Sequence, residues 1–502
     1  MDTALRRVAF ILLACFTLLF AQLNRLQVYQ AEDLANHPAN TRTVLRDFDR
    51  QRADIISSDG VLLATSTEAE QGSFRWQREY PQGELYAHTV GYLGFTTGAD
   101  GMERSHHDAL VGRTSSQQLV DLSNILNPDT GPGSIVATLD HGLQDTARRA
   151  LGNRQGSVVA LDPSTGAIRA MWSWPSFDPN LLSDPDSSVS TSTYTELLNA
   201  EANPLRSRAY RESLAPGSTF KVITAAAALE AGAVTLTSPV FEATDGYVAP
   251  LTSHKIQNFG GRTCGGNLVD LLVRSCNGPF AQLAAEELGP AVMINQAEAA
   301  GFNSVPPVDL PAPIESSYPV DYGKELQTPN PDNPAGLYEN TPVLAQTAIG
   351  QNEVRATPLQ MALLISGIAN DGIIPTPHVL QAIQTHTGQT IAENSPGPWR
   401  QAMRPETAAD LREALIAAAT DGGGATAAVN GLVVGAKTGT AEVGDGSASS
   451  HAWIVAFAGP PDGPPQLAVA VLVEATEGSG DQTGGRVAGP IARALFEEFF
   501  TE

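Results

Sequence analysis

Three short polar motifs constrain this chain more than any other feature, because they lie far apart and make chemical sense only together. Ser218-Thr219-Phe220-Lys221 reads S-x-x-K, Ser275-Cys276-Asn277 reads S-x-N, and Lys437-Thr438-Gly439 reads K-T-G. They are separated by 57 and then 162 residues, so only a fold can bring them together. Each is weak alone. In this order they describe an acyl-transfer site: an activated serine, a second hydroxyl with an amide, and a cationic strand that holds a carboxylate.

The residues around each motif fit those roles. Ser218 follows Ala215-Pro216-Gly217 and opens an alanine-rich run, Thr219 to Ala231, which predicts a helix N-terminus; a helix dipole there favours a developing alkoxide. Lys221 is three residues on and shares that face. Desolvated and near another cation, it is the candidate base. Ser275 could relay a proton to a leaving amine and the Asn277 amide could bind substrate backbone. Lys437, Thr438, Gly439 and Thr440 follow the apolar stretch 432–436, which predicts an edge strand lining a cleft. There Lys437 supplies charge, Thr438 a hydroxyl, and Gly439 room for close approach. Gly431 to Thr438 superficially resembles a phosphate-binding loop, but Ala436 replaces the second glycine and no helix is predicted after it.

Composition narrows the class. With 502 residues, two or three domains are expected, and 42% apolar against 17% charged residues indicates a globular chain. A net charge of −24 argues against binding the phosphate backbone of nucleic acid. No C-x-x-C pair occurs, and the adjacent His106 and His107 point apart on any regular element, so neither metal nor cofactor is expected. Near the start, Arg6 and Arg7 precede an apolar run from Val8 to Ala21. This reads as a signal anchor with the basic side in the cytoplasm; a cleaved signal peptide and a lipoprotein at Cys15 are the alternatives.

The expected organisation is a cytoplasmic tail over 1–7, a membrane anchor over 8–23, an N-terminal region over 24–134 and a catalytic domain over 135–502. A hairpin is predicted around Ser58-Asp59-Gly60. Strands are predicted over 135–139, 156–162, 167–172, 453–459 and 467–473, with helices over 141–151 and 491–500. Residues 303–340 and 388–404 read as long loops. Strands at both ends with helices between them give an α+β fold whose sheet joins the two halves of the chain.

The motif set as a whole resembles the class B penicillin-binding proteins, and within them the actinobacterial type called penicillin-binding protein A. Further segments are similar: Arg52 to Gly60, with Ala53 where glycine is usual, Gly101-Met102-Glu103 with Leu110-Val111-Gly112, Trp174 to Asn180, and Thr357 to Ala362. The resemblance covers almost the whole length. It implies a penicillin-binding, serine β-lactamase-like transpeptidase domain, with an antiparallel sheet flanked by helices, on a pedestal. It implies that Ser218 is acylated by a peptidoglycan stem peptide, that the N–H groups of Ser218 and Thr440 form the oxyanion hole, and that β-lactams acylate Ser218. It also implies a cell-wall role in division or shape, and a separate membrane glycosyltransferase of the SEDS family as partner. In the oxidising compartment this suggests, Cys264 and Cys276 could form a disulfide or remain buried thiols. A β-lactamase would need a further hydrolytic base; the nearest look-alike, Glu196-Leu197-Leu198-Asn199, precedes Ser218 and so has the wrong order. A D,D-carboxypeptidase, or a scaffold or sensor that binds without turnover, are the other readings.

Overall fold

The apolar start of the chain forms a single helix, α1 (Asp2–Asn24), continued by a π-helical turn over Arg25–Tyr29. The span Arg6–Tyr29 is long and apolar enough to cross a membrane. It runs past Ala21 because its polar residues satisfy themselves within the helix. Thr17 Oγ1 donates to Leu13 O (2.8 Å) and Asn24 Nδ2 to Phe20 O (2.8 Å). This helix belongs to a unit, Met1–Asp49, separate from Arg50–Glu502. The computed structural model describes residues 2–30, 48, 50–69, 74–118, 132–442, 450–476 and 482–501. Most of the polar stretch after α1 and the turn-rich stretch near 127–131 lie outside the described residues.

In the second unit, β1 (Asp54–Ile56) and β2 (Leu62–Glu68) form the expected hairpin. Its turn has Gly60 at φ +87° and is locked by Ser57 Oγ, which donates to Asp59 and accepts from Val61 N. Then come β3 (Trp76–Glu79), α2 (Gly101–Ser105), β4 (Ser134–Ala137), α3 (His141–Leu151), β5 (Gly156–Leu161) and β6 (Ile168–Trp174). Asp140 caps α3 by accepting from Leu143 N at 2.7 Å. The middle of the chain supplies α4 (Lys221–Glu230), β7 (Phe241–Thr244), β8 (Gly246–Val248), β9 (Lys255–Gln257), β10 (Cys264–Gly266), α5 (Leu268–Arg274) and α6 (Gly278–Gln282). After them come α7 (Pro358–Ala369), β11 (Leu380–Gln384), β12 (Thr390–Glu393) and α8 (Pro405–Asp421). The last elements are β13 (Val433–Glu442), β14 (Ser450–Gly459), β15 (Leu467–Val473) and α9 (Gly489–Phe499).

Two sheets organise these elements. The five-stranded antiparallel sheet runs β13-β14-β15-β5-β6 and joins the early and late halves of the chain. Every residue of β15 is buried, so both faces of the sheet are covered. Helix α7 is buried at all twelve positions, the mark of a core helix, and packs on β15, β14 and β5 with α8 beside it, whereas α3 and α9 pair with each other against β6 and β15. Strand β13 is an edge strand of this sheet, and it carries the K-T-G residues.

The six-stranded sheet runs β12-β11-β4-β1-β2-β3, with β1 and β4 parallel. The two strands at one end of it come from residues 380–393. Part of the stretch read as loop over 388–404 is therefore strand: Thr390–Glu393 and Pro398–Gln401 pair at sheet edges, where their polar and proline residues are tolerated. The two early segments similar to the family also meet here. Arg52 Nε donates to Glu103 Oε2 (2.9 Å) and Arg78 Nε to Glu103 Oε1 (2.5 Å), all three side chains being buried. His107 faces Arg52, whereas its neighbour His106 turns to Asp309.

Candidate active site

Ser218 lies on a 3-10 turn, Gly217–Thr219, and α4 begins only at Lys221. The helix expected from Thr219 thus starts two residues late. In a 3-10 turn positions three apart eclipse, so Ser218 and Lys221 remain aligned. The turn is held from several sides. Gly217 has φ +54°, its N–H donates to Gly350 O (3.0 Å), and a Cβ there would stand 2.7 Å from Thr440 O. Trp453, fully buried on β14, donates Nε1–H to Ala215 O at 3.0 Å. A Cβ on Gly439 would strike Pro216 O at 2.7 Å and the Thr219 methyl at 3.0 Å. The third motif therefore presses directly on the first, and glycine at 439 is required by the chain's own packing.

Lys221 reaches across to the second motif. Its Nζ donates to Ser275 O (2.8 Å), Ser275 Oγ (3.4 Å) and Asn277 Oδ1 (2.6 Å); these bonds all go to the Ser275–Asn277 segment and none to Ser218. Lys437 Nζ donates to the same Ser275 Oγ at 2.9 Å and to Thr438 O at 2.9 Å. Ser275 Oγ is thus shared by two buried amines. Ser275 itself caps α5 in the left-handed region, at φ 57°, ψ 43°. That strained conformation is what turns the hydroxyl out between the lysines. Cys276 is fully buried and joined to Cys264 on β10 by a disulfide, Cα–Cα 5.5 Å, so the second motif is tied to β7 and β10.

Burial governs the electrostatics. Lys221 is fully buried, and desolvation, then the neighbouring Lys437, depress its pKa well below the usual 10.5. Desolvation lowers Lys437 to about 7. Among the described residues no carboxylate is bonded to either amine, so two cations are not held side by side at low cost; a neutral Lys221 is the state this arrangement favours. Thr438 and Thr440 remain partly exposed beside them on the cleft side of β13. Among the described residues no cluster of His, Cys, Asp or Glu could hold a metal.

The structure therefore brings Ser218, Lys221, Ser275, Asn277, Lys437, Thr438, Gly439 and Thr440 together. It leaves Glu196 exposed on a helix over Ser187–Asn199, with no contact to this site. Residues that no motif signals also contribute: Trp453 and Gly350 hold the nucleophile turn, and Asn258 holds the Asn277 backbone. Only the burial expected of a lone tryptophan in a β-type run could have pointed to the first of them.

Comparison with known proteins agrees with this geometry. The penicillin binding protein transpeptidase domain matches residues 156–497, and the penicillin binding protein A dimerisation domain matches 52–136. The chain is 36% identical over 98% of its length to the peptidoglycan D,D-transpeptidase PbpA of Mycolicibacterium smegmatis, covering 98% of that protein. It is 35% identical to PbpA of Mycobacterium tuberculosis, with 99% of each chain covered. The penicillin G acyl-enzyme complex of penicillin-binding protein A from M. tuberculosis superposes with a TM-score of 0.78 at 33% identity, over 90% of this chain and 100% of that one. The chain belongs to the penicillin-binding protein family with a transpeptidase domain.

Proposed function

We propose that the chain is a serine D,D-transpeptidase that cross-links peptidoglycan stem peptides through an acyl-enzyme on Ser218, and that β-lactams acylate the same serine. The observation that carries this reading is Ser275 Oγ, placed between two buried lysines that have no carboxylate partner among the described residues. Such a pair can pass protons at neutral pH, which ordinary lysines cannot. The relatives named as peptidoglycan D,D-transpeptidases support the substrate, and the acyl-enzyme structure supports the β-lactam chemistry.

Ser218 Oγ attacks the carbonyl of the penultimate D-alanine. Its proton goes to neutral Lys221, the Oγ–carbon bond forms, and the bond to the terminal D-alanine nitrogen breaks as Ser275 relays a proton to that nitrogen. The N–H groups of Ser218 and Thr440 receive the oxyanion. Lys437 and Thr438 hold the terminal carboxylate, and the arriving anion raises the proton affinity of Lys437 and restores its charge. Asn277 keeps one amide hydrogen for substrate, since Nδ2 spends the other on Gln257 O (2.8 Å) and Oδ1 accepts from Lys221. The amine of a second stem peptide then attacks the ester, forms the cross-link and frees Ser218.

The proposed organisation is a tail over 1–7 in the cytoplasm, an anchor over 8–23, a pedestal over 24–134 and a transpeptidase domain over 135–502 outside the cell, serving division or shape beside a SEDS-family glycosyltransferase. Helix α1 with Arg6 and Arg7 supports the anchor; protease digestion of intact spheroplasts should remove the catalytic domain, and its survival would reverse the topology. The partner follows from the family resemblance and is tested by co-purification from membranes.

The activity is tested by labelling the protein with a fluorescent penicillin alongside Ser218→Ala, with mass spectrometry of the adduct. A persistent adduct on Ser218, absent in the variant, is expected. Rapid loss with hydrolysed drug would indicate a β-lactamase instead.

A further inference from the structure

We propose that Asn258 is a positioning residue of this active site: its buried side chain holds the Asn277–Gly278 backbone and so aims Asn277 at the Lys221 amine. The inference rests on the reading of Ser218 as nucleophile and Lys221 as base.

Asn258 directly follows β9 and is 4% exposed. Its Oδ1 accepts from Asn277 N (2.8 Å) and Gly278 N (2.9 Å), and its Nδ2 donates to Thr244 O (2.8 Å) and Arg262 O (3.2 Å). Both lone pairs and both amide hydrogens are therefore used, which is the full capacity of an asparagine side chain. The partners also fix its orientation, because a reversed amide would set NH₂ against two N–H groups. The adjoining residue completes the grip: Gln257 O accepts from Asn277 Nδ2 (2.8 Å). Asn277 is thus held by its backbone and its side chain at once, which leaves Oδ1 directed at Lys221 Nζ (2.6 Å). The nearby disulfide fixes Cys276 but satisfies neither N–H. Aspartate has the same shape but lacks both donors, and alanine lacks every contact.

The charges around this unit are few. Lys437 on β13 acts on Lys221, while Ser275, Asn277 and the Phe280 ring face it as neutral groups. The Asp245–Lys255 pair and Arg262 lie on the segments packed around Asn258. They are common to parent and variant and cancel in the comparison.

The experiment measures β-lactam acylation of the full chain against pH for the parent, Asn258→Asp and Asn258→Ala, with adduct mass as readout and thermal unfolding as the check on folding. Alanine should slow acylation by roughly a hundredfold, the cost of misplacing a catalytic group by about an ångström. Aspartate should slow it by about tenfold at neutral pH. It should also move the acid limb of the profile upward by about one pH unit, because an added negative charge favours protonated Lys221. A folded alanine variant acylated at the parent's rate, or a folded aspartate variant with both rate and acid limb unchanged, would overturn the inference. If alanine does not fold, the aspartate profile decides; loss of folding in both would make Asn258 a folding residue and also overturn it. A parent chain that forms no adduct on Ser218 would instead sink the underlying reading of the site, and the positioning role with it.

Discussion

Arg52, Arg78 and Glu103 beside the six-stranded sheet and Lys221 and Lys437 beside the five-stranded one are buried to nearly the same degree. The first group is compensated: burial pushes the Glu103 carboxyl up, but the Arg78 and Arg52 guanidiniums outweigh it and leave it below the ordinary value. The second group has no counter-ion among the described residues, and burial lowers the proton affinity of both lysines. Equal burial therefore yields a rigid clamp in one place and a reactive base in the other. The difference lies in whether an opposite charge was buried alongside.

The comparison predicts opposite responses to mutation. Ser218→Ala should abolish acylation, by on the order of 10⁴ or more, while leaving the unfolding midpoint close to that of the parent. Lys221→Met should reduce acylation by roughly 10²–10⁴, the range for loss of a general base. It should change stability by only about 1 kcal/mol, because relief of burying the amine offsets the donor lost to Ser275 O and Asn277 Oδ1. Glu103→Gln should do the reverse. It strands two buried guanidiniums and should cost about 3–5 kcal/mol, while the protein that stays folded is acylated at the parent's rate. Denaturant melts and acylation kinetics on the same samples check all three. A large loss of stability in Lys221→Met with none in Glu103→Gln would break the contrast.

Acid and alkali separate the two groups as well. Glu103 has a lowered folded pKa, so its contribution is present above the ordinary carboxylate value and lost as pH falls through the folded one. Lys437 titrates near 7 folded and 10.5 unfolded. Between those values the unfolded chain binds more protons, so stability should rise with pH there, and the penalty is greatest below 7. Melts across pH should show the Glu103 effect only in acid, and Lys437→Met should flatten the rise above neutrality. A smaller loss than at Glu103 is expected at the disulfide: reduction or Cys264→Ser should lower stability by about 2–3 kcal/mol, the usual scale for so short a loop. Equal melts with and without reductant would contradict it.

Much of this was legible in the sequence. The motif order pointed to the family and to eight candidate site residues that the fold brings together, and helix α3 falls on the residues its pattern predicted because Asp140 and Gly152 mark its ends. The return of residues 380–393 to the six-stranded sheet was not legible. Long-range pairing depends on edges supplied elsewhere, and these short strands are too polar to show a clear period. The 3-10 turn at Ser218 escaped because Gly350, Gly439 and Trp453, all distant in sequence, impose it. Asn258 escaped because an asparagine after a strand reads as a turn residue until the backbone it grips is in view.

The most direct test is the rate at which penicillin acylates Ser218, followed by intact mass from about pH 5 to about pH 10. A buried Lys221 held below its ordinary proton affinity predicts an acid limb well below the 10.5 of an unperturbed lysine, with a plateau above that limb. A rate still climbing toward 10.5, or a Lys221→Met variant with the parent's profile, would contradict it.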